Sequence, residues 1–132
     1  MKIRQGFVSN SSSSSFIIAF KKDIKDQDWS DFLGISKNSP FYGAFVEQVS
    51  SLFEIAENKF ETYEEFEAWK KKEYGDEENI LPEVKVFFDK GMKEVWIGEF
   101  CSDGESPVEA MLAETDLNYE SDDFAIVHDG GY

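Results

Sequence analysis

The spacing of apolar residues changes period along the chain, and each change marks an element. Phe16 to Phe20 (FIIAF) is an unbroken apolar run closed by Lys21-Lys22-Asp23, the pattern of a buried strand. Asp26 to Leu33 has room for one or two helical turns, with Trp29, Phe32 and Leu33 on the apolar side and Gly34 as the stop. Asn38-Ser39-Pro40 is a helix-start signal, because Ser39 accepts from free amides and proline suits the first turn. Beyond it Tyr42, Phe45, Val46, Val49, Leu52, Phe53 and Ala56 recur at helical spacing and predict an amphipathic helix with one face in the core.

A second helix is predicted from Thr62, where T-Y-E-E reads as a capping box with Glu65 at the third helical position. Tyr63, Phe66 and Trp69 share a side, Lys70 to Lys72 complement the C-terminal end of the dipole, and Gly75 terminates it. Asp76 to Asn79 follows as an acidic loop. Val84, Val86 and Phe88 then alternate with Lys85 and Phe87, and with Asp89-Lys90-Gly91 as turn they predict a hairpin returning through Val95 to Phe100. Ser106-Pro107-Val108-Glu109 is a second capping box, opening a short helix that carries Val108, Met111 and Leu112. Phe124 to His128 is a last strand between Ser121-Asp122-Asp123 and Asp129-Gly130-Gly131.

The expected fold is therefore α+β: a two-layer domain with a roughly four-stranded, mainly antiparallel sheet, two longer helices on one face and one short helix. Residues 1–15 form a serine-rich N-terminal segment, and residues 16–132 a single acidic domain. The length of 132 residues, with 41% hydrophobic and 16% aromatic content, supplies one core and excludes a mainly disordered chain.

Charge narrows the functional classes. The net charge of -15 is unevenly spread: five Lys/Arg against two Asp in the first 26 residues, but eleven acidic residues and no Lys or Arg from Glu94 onward. Such a surface repels a phosphate backbone, so no direct nucleic-acid binding is expected, while a basic protein partner fits. A single cysteine, Cys101, forbids an intrachain disulfide and suits a cytoplasmic location. FIIAF is too short for a secretory core, no stretch is long enough to span a bilayer, and the Asn10-Ser11-Ser12 sequon is set aside with the missing signal.

Candidate chemistry is sparse. A serine nucleophile would have His128 as its one histidine, but no strained turn presents a serine, and His128 at a strand end is expected to be a partly exposed structural residue. Cys101 precedes Ser102-Asp103-Gly104-Glu105, whose acids raise a thiol pKa. Asp103, Glu105, Asp122, Asp123 and Asp129 are oxygen donors of the kind calcium or magnesium takes, yet Asp103-Gly104-Glu105 is too short for a calcium loop. No catalytic residue, metal site or cofactor is assigned.

Ser9, Asn10 and Ser11 to Ser15 are the remaining candidate site. They lead into a strand rather than a helix, which is the wrong geometry for a phosphate loop. The core GFVSNSSSSSF, within MKIRQGFVSNSSSSSF, resembles the opening of a set of bacterial and bacteriophage proteins whose remaining parts differ and to which no activity is attached. The resemblance covers Met1 to Phe16 and implies a bacterial or phage origin and an N-terminal element with its own role. Phe7-Val8 and Phe16-Ile17-Ile18 bracket the hydroxyls, so two readings stand: a recognition or modification segment, or a structural loop or edge strand. The expected function is an accessory protein, not an enzyme, acting through protein contacts. The alternatives are an acidic decoy of a nucleic-acid-binding protein and a small carboxylate- or divalent-metal-dependent enzyme.

Overall fold

A computed structural model describes residues 13–76, 80–101, 107–113, 115 and 117–128. Five strands form one sheet: β1 (Ser13–Phe20), β2 (Asn58–Phe60), β3 (Glu94–Cys101), β4 (Leu117–Glu120) and β5 (Phe124–His128), in the order β2-β3-β1-β5-β4. Every neighbouring pair is antiparallel. The helices are α1 (Ser30–Leu33), α2 (Tyr42–Glu54), α3 (Tyr63–Tyr74), α4 (Glu83–Asp89) and α5 (Pro107–Ala113), with a 3-10 turn at Ile24–Asp26.

The unbroken apolar run Phe16 to Phe20 explains the architecture. In a strand alternate side chains point to opposite faces, so a run without polar interruption needs cover on both. Phe16, Ile18 and Phe20 lie in one core with Phe100, Phe124 and Ile126, beneath Val49 and Phe53 of α2, Trp29, and Leu112 of α5. Ile17 and Ala19 lie in a second core with Val95, Ile97 and Ala125, beneath Phe66 of α3 and Val84 and Phe87 of α4. The α+β class and antiparallel sheet are as expected, but the count is five strands, and the two longer helices pack on opposite faces rather than one. The added strands, β2 and β4, are edge strands of three and four residues, too short for a periodic signal.

The first core is aromatic. Phe16 stacks on Phe100 at 4.5 Å and meets Phe53 edge-on at 5.1 Å, while Trp29 lies 5.1 Å from Phe124. Such pairs add about 0.5–1.5 kcal/mol each beyond the area they bury. Gly98 lets this face close: a Cβ there would stand 2.8 Å from the Ala56 Cα and 2.8 Å from the Phe16 ring.

One expected hairpin is replaced by a helix and another hairpin appears. Val84 and Phe87, three apart, are buried while Val86 is exposed, so the segment's effective period is helical and Pro82 (φ −61°) leads into it. Reading Val84, Val86 and Phe88 as one face missed this. The hairpin joins β4 to β5, where the Ser121 N–H donates to the Phe124 carbonyl at 2.8 Å and the Ser121 hydroxyl accepts from the Phe124 N–H at 3.1 Å.

Local signals elsewhere hold. Thr62 accepts from the Glu65 N–H at 3.2 Å and the Glu65 carboxylate accepts from the Thr62 N–H at 3.1 Å, completing the capping box of α3, and Gly75 ends it with φ 67°. Gly34 closes α1 with φ 69°. The start signal before α2 is met only in part: Ser39 accepts from the Phe41 N–H at 3.1 Å, but a turn at Ser39 delays the helix to Tyr42, its N-cap is Phe41 with no side-chain bond, and Pro40 precedes the first turn. The capping box expected at Ser106 and the acidic loop at residues 77–79 lie outside the described residues.

Candidate functional site: the outer face of helix α2

The serine run divides. Ser9, Asn10, Ser11 and Ser12 lie outside the described residues. Ser13, Ser14 and Ser15 open the central strand, opposite Cys101, Phe100 and Glu99 of β3. Ser15 is fully buried and its hydroxyl has no hydrogen-bond partner. It sits beside Glu99, whose carboxyl is pushed up first by burial and then by the nearby Glu57.

Of the nucleophile and metal candidates, the side chains of His128, Asp122 and Asp123 are described. His128 is buried, against the expectation of partial exposure: Nδ1 lies 2.7 Å from the Thr115 carbonyl and the ring meets Phe100 edge-on at 5.1 Å. The short edge strand β4 is responsible, since Leu117 pairs with His128 and covers the strand end. Asp122 and Asp123 belong to the β4–β5 turn, and Asp123 pairs with Lys22 at 3.4 Å. Asp103, Glu105 and Asp129 lie outside the described residues. Among the described residues no three His, Cys, Asp or Glu side chains cluster as a metal site, and no helix is long and apolar enough to cross a membrane.

What the sequence did not foresee is the outer side of α2. Phe41 is 65% exposed, Phe45 40% and Ile55 55%; Phe45, expected on the core face, points outward. The core takes Val49 and Phe53 fully and Tyr42, Val46 and Leu52 in part. Phe41 and Ile55 both keep right-handed helical backbone at the two caps, so helical spacing runs unbroken from 41 to 55. Along it Phe41, Phe45, Gln48, Leu52 and Ile55 are spaced four, three, four and three, a line about 21 Å long. Exposed Ala44 and Ser51 lie beside this line, and Glu47 and Glu54, seven apart, lie beyond them on the same side, away from the core.

Along the helix itself the charge has one sign. Residues 38–58 hold no Lys or Arg and three glutamates, Glu47, Glu54 and Glu57. The lysines that bound the stretch are engaged elsewhere: Lys37 pairs with Asp28 at 3.0 Å, and the Lys59 ammonium lies 4.2 Å from the centre of the Trp96 ring. The apolar line was legible in the sequence as a 4-3-4-3 spacing, but Phe45 and Leu52 also belong to the broader helical pattern, and that pattern absorbed them. Neither the protein-family models, nor the curated proteins, nor the solved structures contain a match to this chain.

Proposed function

We propose that this chain is a non-enzymatic binding module that acts through contacts with another protein, an accessory protein of the bacterial and bacteriophage kind that its opening resembles. The observation that carries the reading is the pair of exposed phenylalanines, Phe41 and Phe45, one turn apart at the start of α2. Phe16, Phe20, Phe53, Phe66, Phe100 and Phe124 are fully buried, so the chain places phenylalanines inside effectively. Large apolar side chains left adjacent on a surface mark a site of association.

Ser9 to Ser12 remain the recognition or modification segment in this reading. Ser15 is a poor acceptor for a modifying enzyme, because its hydroxyl is buried while β1 is paired. Cross-linking in the native cell followed by intact-mass measurement tests the proposal. A discrete protein adduct is expected; its absence, with an unmodified mass, sinks the reading. Replacing Ser9, Ser11 and Ser12 by alanine removes the adduct or the mass heterogeneity if the segment is recognised or modified.

The acidic-decoy reading is the special case in which the partner's bound surface is the one that holds nucleic acid, and the net charge of -15 favours it. It predicts that a DNA duplex and this chain compete for the partner, with capture that weakens as salt rises.

A further inference from the structure

We infer that the outer face of α2 is a docking seam for a basic amphipathic helix of the partner protein, an inference that rests on the protein-contact reading above. Phe41, Phe45, Gln48, Leu52 and Ile55 alternate at intervals of four and three residues, the spacing with which two helices interlock along a seam. The line covers about two heptads. Phe41, Phe45 and Ile55 stand in solvent with Gln48, while half-buried Leu52 ties the seam to the aromatic core. Small, exposed Ala44 and Ser51 on one margin let a second helix approach closely.

Charge complementarity sets the occupant. Glu47 and Glu54 lie on the solvent side of the seam, one row beyond Ala44 and Ser51, and no cation among the described residues pairs with either of them. A second copy of this chain would bring another charge of -15 against the first, so self-association is disfavoured. A partner helix with leucine-like residues along one stripe and Lys or Arg on its flanks satisfies both features: apolar burial supplies affinity, and the glutamates orient it.

The test uses the full chain and a fluorescent synthetic helix of three heptads, with leucine on the seam and lysine on the flanks, read by anisotropy near physiological salt. A scrambled peptide of equal charge is the control. The proposal expects the ordered peptide to bind at least tenfold more tightly than the scrambled one. The charge-preserving pair Phe41→Ser and Phe45→Ser erases that preference with unchanged circular dichroism, and Glu47→Gln with Glu54→Gln weakens binding several-fold. Equal binding of the two peptides, or indifference to the Phe substitutions, overturns it. A wild-type dimer in sedimentation equilibrium that the Phe substitutions dissolve also overturns it, by making the seam a self-interface. Failure here with an adduct still formed in the cell leaves the protein-contact reading standing; failure of both removes it.

Discussion

Helices α2 and α3 are nearly equal in length, 13 and 12 residues, and lie on opposite faces of the same sheet, yet they are held by different means. Helix α3 is locally complete. It has a capping box, Glu64 and Glu65 in the first turn, Lys71 and Lys72 in the last, and a Glu67–Lys70 pair at 3.3 Å, so each end is matched to the dipole. Helix α2 has neither an acid in its first turn nor a base in its last. Its stability comes from Val49 and Phe53 beneath it, and its outer side carries phenylalanine where α3 carries glutamate and lysine. A helix that satisfies itself has a surface suited to water; a helix held by its core is free to spend its surface on a partner.

The largest effect expected is at the root of α2. Phe53 is fully buried against Phe16, Trp29 and Phe100, and Phe53→Ala should cost about 3–5 kcal/mol in urea unfolding. Gly98→Ala should follow at about 1–3 kcal/mol, because the new methyl meets the Ala56 backbone, which has little room to yield. A neutral result at Gly98 would mean that α2 is not seated where the close approach puts it.

The local devices of α3 should cost less. Thr62→Ala removes one half of the capping box and should lower stability by about 1 kcal/mol, more than Ser39→Ala before α2, whose hydroxyl makes one bond to Phe41. Equal losses at the two positions would erase the contrast. In the first turn of α4, Glu83 is buried and neither carboxylate oxygen has a partner, so Glu83→Met should raise stability by about 1 kcal/mol.

A smaller, pH-dependent effect belongs to α3. The hydrogen bond from the Tyr63 hydroxyl to the Glu67 carboxylate holds the Tyr63 pKa at about 12 against the ordinary 10. Because the folded value is raised, the stabilisation is complete below pH 10 and is lost as pH rises through 12. Ultraviolet titration should show a late tyrosine that disappears in Tyr63→Phe, while Tyr119, which burial also pushes up, still titrates late; a wild-type titration that Tyr63→Phe leaves with the same late population would contradict the bond.

The same contrast explains what was legible in the sequence. The Thr62 box, Gly75, Gly34 and the strand Phe124 to His128 are short-range signals and appear where they were read, while the strand read as Phe16 to Phe20 begins earlier, at Ser13, because β3 pairs with the last three serines. The errors needed tertiary information. Val84 to Phe88 supports either period, and its position across the sheet from α2 decides for a helix. The edge strands β2 and β4 exist because β3 and β5 offer them unpaired backbone, which no three or four residues announce. Phe45 looked like core because helical periodicity identifies an apolar helix but does not say how wide a stripe the sheet will cover. The outward line on α2 is the remainder of that stripe, visible once Val49 and Phe53 are fixed as its centre.

The most direct measurement places a photoreactive phenylalanine analogue at position 45 of α2 or at position 64 of α3, in the native cell. Both positions are exposed, so reach is equal and only the character of the two surfaces differs. The account predicts one dominant cross-linked protein from position 45, abolished by Phe41→Ser, and none from position 64. Adducts from position 64 alone, or equally from both, would contradict the division between a helix built for solvent and a helix built for a partner.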